Sequence, residues 1–434
     1  MTWPWVTIIV VTHNGRGYLE RCLSSLQSLD YPPDRYEVVV VDNASTDGSV
    51  DLIAERFPGV RVIRSSRNLG FSAANNLGFA QSSSEFVVTL NNDTAVTPAW
   101  LAALVRPALV DPSVGLCTGK LLLMHDRLRV RLRQVDRSAP ALALPSRVWR
   151  DGVPIDVERL GLPNPTYLEL GVPIEPGTRP REIRLLLGGA SGRPIEAALG
   201  DDLLEPRAVG AAGEIALPVD AGVPIRSVVQ NAGSVVFRDG RGRDRGAVAS
   251  NGLHYYEDDR GQFESTEEVF AGCGASLLLR ASTLADVGGF DERFFAYYED
   301  TDLSWRARLR GWRVIYAPGA VARHVHRGTS GPWSGRFVYF TERNRLMMLI
   351  KLAAAKVVLS QLTRSMVSAS WASAAALRRT AQGRDLRPTQ ARPRLAALAE
   401  VGRHLPGLLA DRARIQVRRR VGQSDIERWF ETDE

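Results

Sequence analysis

The apolar residues at the start of the chain arrive in two alternating patterns. Val6–Val11 (VTIIVV) is a continuous β-branched run, as in a strand buried on both faces. Leu19, Cys22, Leu23 and Leu26 then recur at three-to-four spacing, predicting a helix from about Gly17 to Leu29. The alternation repeats: strand Tyr36–Val41, helix Gly48–Phe57, short strand Val60–Arg64, helix Ser72–Gln81 and strand Glu85–Leu90. Thr97 and Pro98 read as an N-cap and first helical residue opening a helix through Val110. Strand–helix units of this length imply a parallel sheet covered on both sides, with ligands bound beyond the C-terminal strand ends. Thr12-His13-Asn14, Asp42 to Asp47 and Asn91-Asn92-Asp93 follow three of the strands, so all three clusters are expected on one rim. Turn-making and capping explain Ser45, Thr46 and Asp47 equally well.

From about Leu121 the pattern changes. Residues 121–228 are rich in proline and glycine, with short alternating runs at Tyr167–Leu170, Glu182–Leu187 and Glu214–Val219, which predicts an inserted small all-β module. Strand–helix signals return at Val235 and are densest from Val269 to Ser330. Beyond Gly335 the chain reads as amphipathic helix divided by Pro388, Pro393 and Pro406. The predicted organisation is therefore 1–120, 121–228, 229–335 and 336–434.

Composition narrows the class. A chain of 434 residues with 44% apolar and 24% charged residues is an ordinary globular protein, not a disordered, collagenous or disulfide-stapled one. Cys22, Cys117 and Cys273 are few and far apart, which suits a reducing compartment without disulfides or a zinc knuckle. The N-terminus lacks a basic n-region and reads as a strand, not a signal peptide, and Lys351, Lys356 and Gln361 interrupt the most apolar stretch, Leu346–Thr363. An intracellular protein is expected. The net charge of +7 is unevenly placed, since 19 Lys+Arg against nine Asp+Glu lie from Arg336 onward. Leu346, Leu349, Ile350, Ala353, Val357, Val358 and Trp371 interleave with those cations. That pattern suits either an anionic membrane surface or packing on the domain.

The densest chemistry lies in Phe290–Trp312 (FDERFFAYYEDTDLSWRARLRGW). Leu303, Trp305, Arg306, Leu309 and Arg310 have helical spacing, which puts Glu299, Asp300 and Asp302 in the opening turn, where the helix dipole favours anions. Asp302 reads as an i, i+4 partner of Arg306 worth a few tenths of a kcal/mol. Glu299 and Asp300, behind the aromatic run Phe294, Phe295, Tyr297 and Tyr298, are candidates for a general base.

Six stretches, VTIIVVTHNGRGYLERCLSSL, VVVVDNASTDGS, RNLGFSAANNLGF, LNNDT, GCGASLLLRASTLADVGGFDERFFAYYEDTDLSWRARLRGW and VARHVHRGTSG, stand in one order across residues 5–120 and 230–345. In them the chain resembles the family-two glycosyltransferases of GT-A fold, in the bacterial rhamnosyltransferase and galactofuranosyltransferase branch. The resemblance implies an α/β GT-A domain with an inserted all-β module and a C-terminal helical region. It also implies an inverting, metal-dependent enzyme that moves a sugar from a UDP- or dTDP-sugar to a lipid-linked or glycan acceptor in cell-wall or surface-glycan assembly. Thr12, Asn14, Asp42, Asn68, Gly70, Asn75 and Asn92 would then line the nucleotide-sugar pocket, with Asp42 on the base or ribose. Asn91-Asn92-Asp93 stands where the family has Asp-x-Asp, so Asp93 alone supplies the carboxylate for Mn²⁺ or Mg²⁺. His324, with His326 as runner-up, would be a second ligand, favouring Mn²⁺. Asp300 would deprotonate the acceptor hydroxyl in a single displacement, with Glu299 supporting it or orienting the acceptor. A single displacement needs no retaining-glycosidase carboxylate pair. Gly272 to Ala275 would wall the acceptor side, with Cys273 as a packing thiol. Arg343-Asn344 matches a segment of the branch but reads as helix-surface charge. The implied setting is peripheral, on the inner face of the plasma membrane.

Two other classes fit the sequence less well. A nucleotidyltransferase would share the α/β nucleotide fold and metal aspartate, but needs a phosphate-gripping basic signature near the N-terminus that the sequence lacks. An Arg-rich nucleic-acid binder needs base-stacking aromatics among the basic residues, and the tail offers few (Trp371, Trp429, Phe430). No nucleic-acid partner is expected, and oligomeric state is left open.

Overall fold

The computed structural model describes residues 2–135, 142–160, 167–188, 194–250, 253–325, 334–381 and 390–432. They pack as two units, one of residues 1–121, 231–245 and 264–434, the other of 122–230 and 246–263.

The first unit is built on strands β1 (Val6–Thr12), β2 (Tyr36–Asp42), β3 (Arg61–Arg64) and β4 (Phe86–Asn91), alternating with helices α1 (Arg16–Gln27), α2 (Ser49–Arg56) and α3 (Gly70–Ala80). β1 lies between β2 and β4, parallel to both, and β3 continues the sheet from β2. The β-branched runs face covered layers on both sides: Ile8, Ile9 and Val10 are all fully buried. Each such side chain contributes roughly 1.5–3 kcal/mol of burial free energy. Beyond β4 comes the strand Ser276–Arg280, antiparallel to it, and then β6 (Val114–Leu123). A short strand β5 (Thr94–Val96) pairs with the long strand Arg313–His324.

Helix α4 ends at Val110 and begins at Trp100, two residues later than the Thr97–Pro98 signal predicts. Thr97 does not cap it. The Thr97 hydroxyl instead donates to the Val321 carbonyl at 3.2 Å, tying the turn to the neighbouring strand. At Val235, where strand–helix signals were expected to resume, the chain forms a hairpin of strands Ser234–Phe237 and Gly242–Asp244.

Helices α5 (Ala281–Val287) and α6 (Glu299–Leu309) precede a C-terminal group, α7 (Gly335–Leu352), α8 (Ala355–Ala381) and α9 (Ala391–Arg418). Pro406 lies within α9 and does not end it. Pro388 is outside the described residues. Leu346 to Leu352 of α7 form a core with Phe294 and Trp305 and with Val401 and Leu408 of α9. Leu346, Leu349, Ile350 and Ala353 are therefore interior positions, whereas Trp371 on α8 is 71% exposed.

The second unit is all β. Strands Asp126–Gln134, Tyr167–Ile174 and Pro194–Leu199 belong to one sheet, and Arg147–Arg150, Glu182–Leu186 and Glu214–Pro218 to another. Alternate residues of both sheets, such as Leu128, Val130 and Leu132 with Ile183 and Leu185, share one core. The outward arginines of DRLRVRLRQ pair with carboxylates, Arg127 and Arg129 with Asp258 and Arg133 with Glu196.

Candidate active site

The sheet register brings the polar strand ends together. Thr12 stands opposite Asp42, and Val11 opposite Asn91, so the C-terminal ends of β1, β2 and β4 form one edge. The loops there bind one another. Asn92 Nδ2 donates to Thr12 Oγ1 at 2.9 Å, and Gly15 is required beside them because a Cβ would lie 2.1 Å from Asn92 Nδ2. Asn14 takes a positive φ of 54°, its Oδ1 accepting from the Thr46 amide at 2.8 Å and its own amide donating to Ser45 Oγ at 2.9 Å. Asp42 Oδ1 accepts the Ser45 amide at 3.1 Å. Asp47 accepts from the Arg16 amide and from Ser49. Desolvation raises the Asp47 carboxyl, but these hydrogen bonds outweigh it and hold it below its ordinary value.

Asn43, one of the cluster that follows β2 but not among the candidate site residues, clips the β2 end to the start of α3. Its Nδ2 donates to Asn68 Oδ1 at 3.0 Å and to the Gly70 carbonyl at 3.2 Å, and its Oδ1 accepts the Leu69 amide at 2.8 Å. Asn68 Oδ1 also takes the Gly70 amide at 2.9 Å. Gly70 has a φ of +82°, and a Cβ there would meet Phe295 at 2.6 Å, so no other residue fits. Asn75 is buried, with Nδ2 donating to the Phe71 carbonyl one turn back. Its neighbour Asn76 faces the other way and exchanges hydrogen bonds with Phe290.

Asp93 and His324 meet at the end of β4. His324 reaches them because Arg313–His324 runs antiparallel to β5 with His324 opposite Thr94. Its Nε2 stands 3.1 Å from Asp93 Oδ1 and 3.2 Å from Asn91 Nδ2. Asp93 Oδ1 is buried without a hydrogen-bond partner among the described residues. A buried acceptor oxygen beside an imidazole nitrogen that also meets the Asn91 amide is a donor pair that suits a divalent cation. Among the described residues no three His, Cys, Asp or Glu side chains cluster. His326 lies outside the described residues.

Asp300 reaches the same edge from α6. Ser276–Arg280 pairs antiparallel with β4, so the loop before it, Gly272 to Ala275, arrives where β4 ends. Gly274 donates its amide to Asp300 Oδ2 at 2.9 Å, and the Thr301 amide donates to Asp300 Oδ1 at 2.6 Å. A Cβ on Gly274 would come within 3.3 Å of Phe71 and 3.5 Å of Asp300 Oδ2, so the carboxylate stands beside the first turn of α3. Loss of surrounding water raises the Asp300 carboxyl, against which the Gly274 and Thr301 hydrogen bonds act. Glu299 is pushed well above its ordinary value, by burial first and then by the Asp300 charge. Its Oε2 has no hydrogen-bond partner among the described residues. Burial also pushes the Cys22 and Cys117 thiols up to about 12, and Cys273 is raised by burial and by Asp244 and Asp300. None of the three is a ready nucleophile.

Asp302 corrects the expectation of a surface pair. It is fully buried, with Oδ2 accepting from Arg306 Nε at 2.8 Å and Oδ1 at 2.6 Å from Lys351 Nζ. Lys351 also contacts Asp291 Oδ2 at 2.6 Å. Arg343 and Asn344 likewise are interior: Arg343 Nη2 donates to the Arg293 carbonyl, and Asn344 to the chain just before Asp300.

Residues 7–152 match the family model described as Glycosyl transferase family 2, and residues 234–377 match Glycosyl transferase family group 2. An N-acetylglucosaminyl-diphospho-decaprenol L-rhamnosyltransferase of Mycobacterium tuberculosis (strain ATCC 25618 / H37Rv) is 26% identical over 325 residues, 75% of this chain and 77% of that protein. Glycosyltransferase AglE of Haloferax volcanii is 31% identical over 103 residues, 23% of this chain and 34% of AglE, so that match spans about a third of the relative. Among solved structures, GalNAc-T7 with UDP, GalNAc and Mn²⁺ aligns over 86% of this chain and 52% of its own at 14% identity and a TM-score of 0.48. The mannosyltransferase PcManGT of Pyrobaculum calidifontis aligns over 93% and 87% at 16% identity and a TM-score of 0.41.

Proposed function

We propose, from the membership of this chain in the family-two glycosyltransferases, that it transfers a sugar from a UDP- or dTDP-sugar to a lipid-linked acceptor with inversion. The observation that carries the reading is Asp300, a carboxylate with raised proton affinity, held by the Gly274 amide at the edge where β1, β2 and β4 end. The acceptor class follows the rhamnosyltransferase, which is named for an N-acetylglucosaminyl-diphospho-decaprenol substrate and aligns over about three quarters of both chains.

In this reading Asp42, Thr12, Asn14 and Asn92 shape the nucleotide side, and the Asn43–Asn68–Gly70 clip keeps the next loop closed on it. Asn75 is assigned to the same side through the helix it stiffens. Asp93 and His324 would hold the divalent cation, with Mn²⁺ favoured over Mg²⁺ by the imidazole. When bound, it neutralises charge on the departing nucleoside diphosphate. Asp300 takes the proton of the acceptor hydroxyl as that oxygen attacks the anomeric carbon, and the bond to the diphosphate breaks in the same displacement. Burial raises the proton affinity of Glu299 beside it, and we assign Glu299 to support Asp300.

Helix α8 supports a peripheral position on an anionic membrane, which we assign to the inner face of the plasma membrane. No described helix is long and apolar enough to cross a bilayer. Yet α8 turns Gln361, Ser365 and Ala369 inward and leaves Leu359, Met366, Val367, Trp371 and Leu377 exposed.

The test is incubation of the full chain with UDP-, dTDP- and GDP-sugars, Mn²⁺ and a polyprenyl-diphosphate-linked N-acetylglucosamine. The expected result is glycosylated lipid with release of nucleoside diphosphate. Release of pyrophosphate, or no glycosylated lipid with any donor, overturns the reading.

A further inference from the structure

Tyr297 and Tyr298, immediately before Glu299 and Asp300, have φ angles of 73° and 70°. Two consecutive bulky residues in the left-handed region are unfavourable, and neither is a glycine or asparagine that adopts it readily. Something must hold them there. The two carbonyls at this point, Ala296 O and Tyr297 O, both accept from one group, Asn344 Nδ2, each at 2.8 Å. Asn344 is fully buried on α7, and its own Oδ1 accepts from Arg343 Nε at 2.9 Å, which fixes the orientation of the amide. Arg343 in turn donates to the Arg293 carbonyl at 2.7 Å, three residues before Ala296. One turn earlier on α7, Phe340 stacks on Phe295 with ring centroids 5.4 Å apart.

We propose that Asn344 is a positioning residue for Asp300: its amide holds the Ala296 and Tyr297 carbonyls so that the left-handed turn opens α6 with Asp300 aimed at Gly274. Helix α7 lies outside the strand–helix repeat that makes the nucleotide side, so the two substrates' machinery is set by different parts of the chain. The inference rests on Asp300 being the base, but the turn itself can be read without activity.

The experiment uses the full chain with Asn344→Ala, and with Asn344→Leu, which keeps the volume without donating, in case the smaller side chain does not fold. Hydrogen exchange of the segment 294–302 should accelerate in the variant at least about tenfold while the β1–β4 amides keep their protection. With the donor and acceptor that wild type turns over, kcat should fall about 100-fold at unchanged donor KM. Adding Tyr297→Gly, which adopts positive φ freely, should restore kcat by about tenfold or more. Unchanged exchange in 294–302 overturns the proposal. So does faster exchange throughout the unit with no recovery from Tyr297→Gly. If wild type turns over no nucleotide sugar, the proposed function fails, and the exchange result alone decides whether Asn344 holds the turn.

Discussion

Glu299 and Asp300 are adjacent carboxyls that burial drives upward, and their hydrogen bonds separate their roles. Asp300 accepts the Gly274 and Thr301 amides, whereas Glu299 Oε2 has no hydrogen-bond partner among the described residues. Asp300→Asn should therefore abolish transfer while nucleotide-sugar binding, measured by calorimetry, persists. Glu299→Gln keeps the size of the side chain without its charge and should keep turnover at neutral pH within about tenfold. The acid limb of kcat should lie above the ordinary aspartate value of about 3.9 in both wild type and Glu299→Gln. A limb at or below that value would contradict the assignment of Asp300. Asp93→Ala should remove the Mn²⁺ dependence of donor binding; a donor affinity that still rises with Mn²⁺ would clear Asp93 of that role. The clusters at Thr12, Asp42, Asp93 and Asp300 were legible because strand ends and a helix start are local signals, whereas Asn68, Gly70, Asn75 and His324 entered through the family resemblance alone. The role of Asn43 was not legible, since its three hydrogen bonds reach Asn68, Leu69 and Gly70, about 25 residues away, and no local pattern encodes them.

At the level of elements, α6 and α7 are joined by charges that the sequence presents as surface ones. Read along α6, Asp302 and Arg306 make an ordinary helical pair, and Lys351 looks like one more cation of a basic tail. In the fold Lys351 is 2% exposed and contacts both Asp302 and Asp291. Burial alone would raise the Asp291 carboxyl, but Lys351 and Arg293 outweigh it and hold it well below the usual carboxylate range. Lys351→Met leaves two buried carboxylates short of their cation, and should destabilise the unit by about 3–5 kcal/mol in denaturant unfolding. The pH dependence follows from the depressed carboxyl. Its contribution is complete above the unfolded value near 3.9 and is lost as pH falls through the lower folded value. Wild type should thus hold to a lower pH than Lys351→Met, whose acid unfolding midpoint should move upward; equal midpoints would show the network to be incidental. Amphipathic spacing correctly predicted that α7 is a helix. Which side of it met the domain depended on Phe294, Trp305 and α9, contacts distant in sequence that no periodicity reports.

Taken over the whole molecule, the +7 net charge is a property of the C-terminal helices, and the fold divides that charge between two uses. Arg343, Arg345 and Lys351 of α7 are buried among acceptors. Helix α8 is different, carrying Lys356, Arg364, Arg378 and Arg379 with no Asp or Glu. Its large apolar residues Leu359, Met366 and Leu377 fall along one line, and Val367 and Trp371 are exposed as well, while Val358 and Leu362 pack on the core beside the buried Gln361, Ser365 and Ala369. A surface helix in water normally keeps its exposed face polar. Apolar residues with a cationic border suit the headgroup and acyl boundary of an anionic bilayer, and each nearby cation adds about 1 kcal/mol of attraction. The full chain should sediment with vesicles containing phosphatidylglycerol and much less with phosphatidylcholine alone. Deleting everything past residue 346 is no test of this, because it also removes the core of α7 and α9. Trp371→Ser with Leu377→Ser changes only exposed positions, so it should leave thermal unfolding unchanged while lowering vesicle binding about tenfold or more. Equal sedimentation of that variant with anionic vesicles would remove α8 from the membrane contact and leave its exposed face to another partner. Loss of binding together with intact transfer to a detergent-solubilised acceptor would show that α8 brings the enzyme to its substrate without taking part in the chemistry.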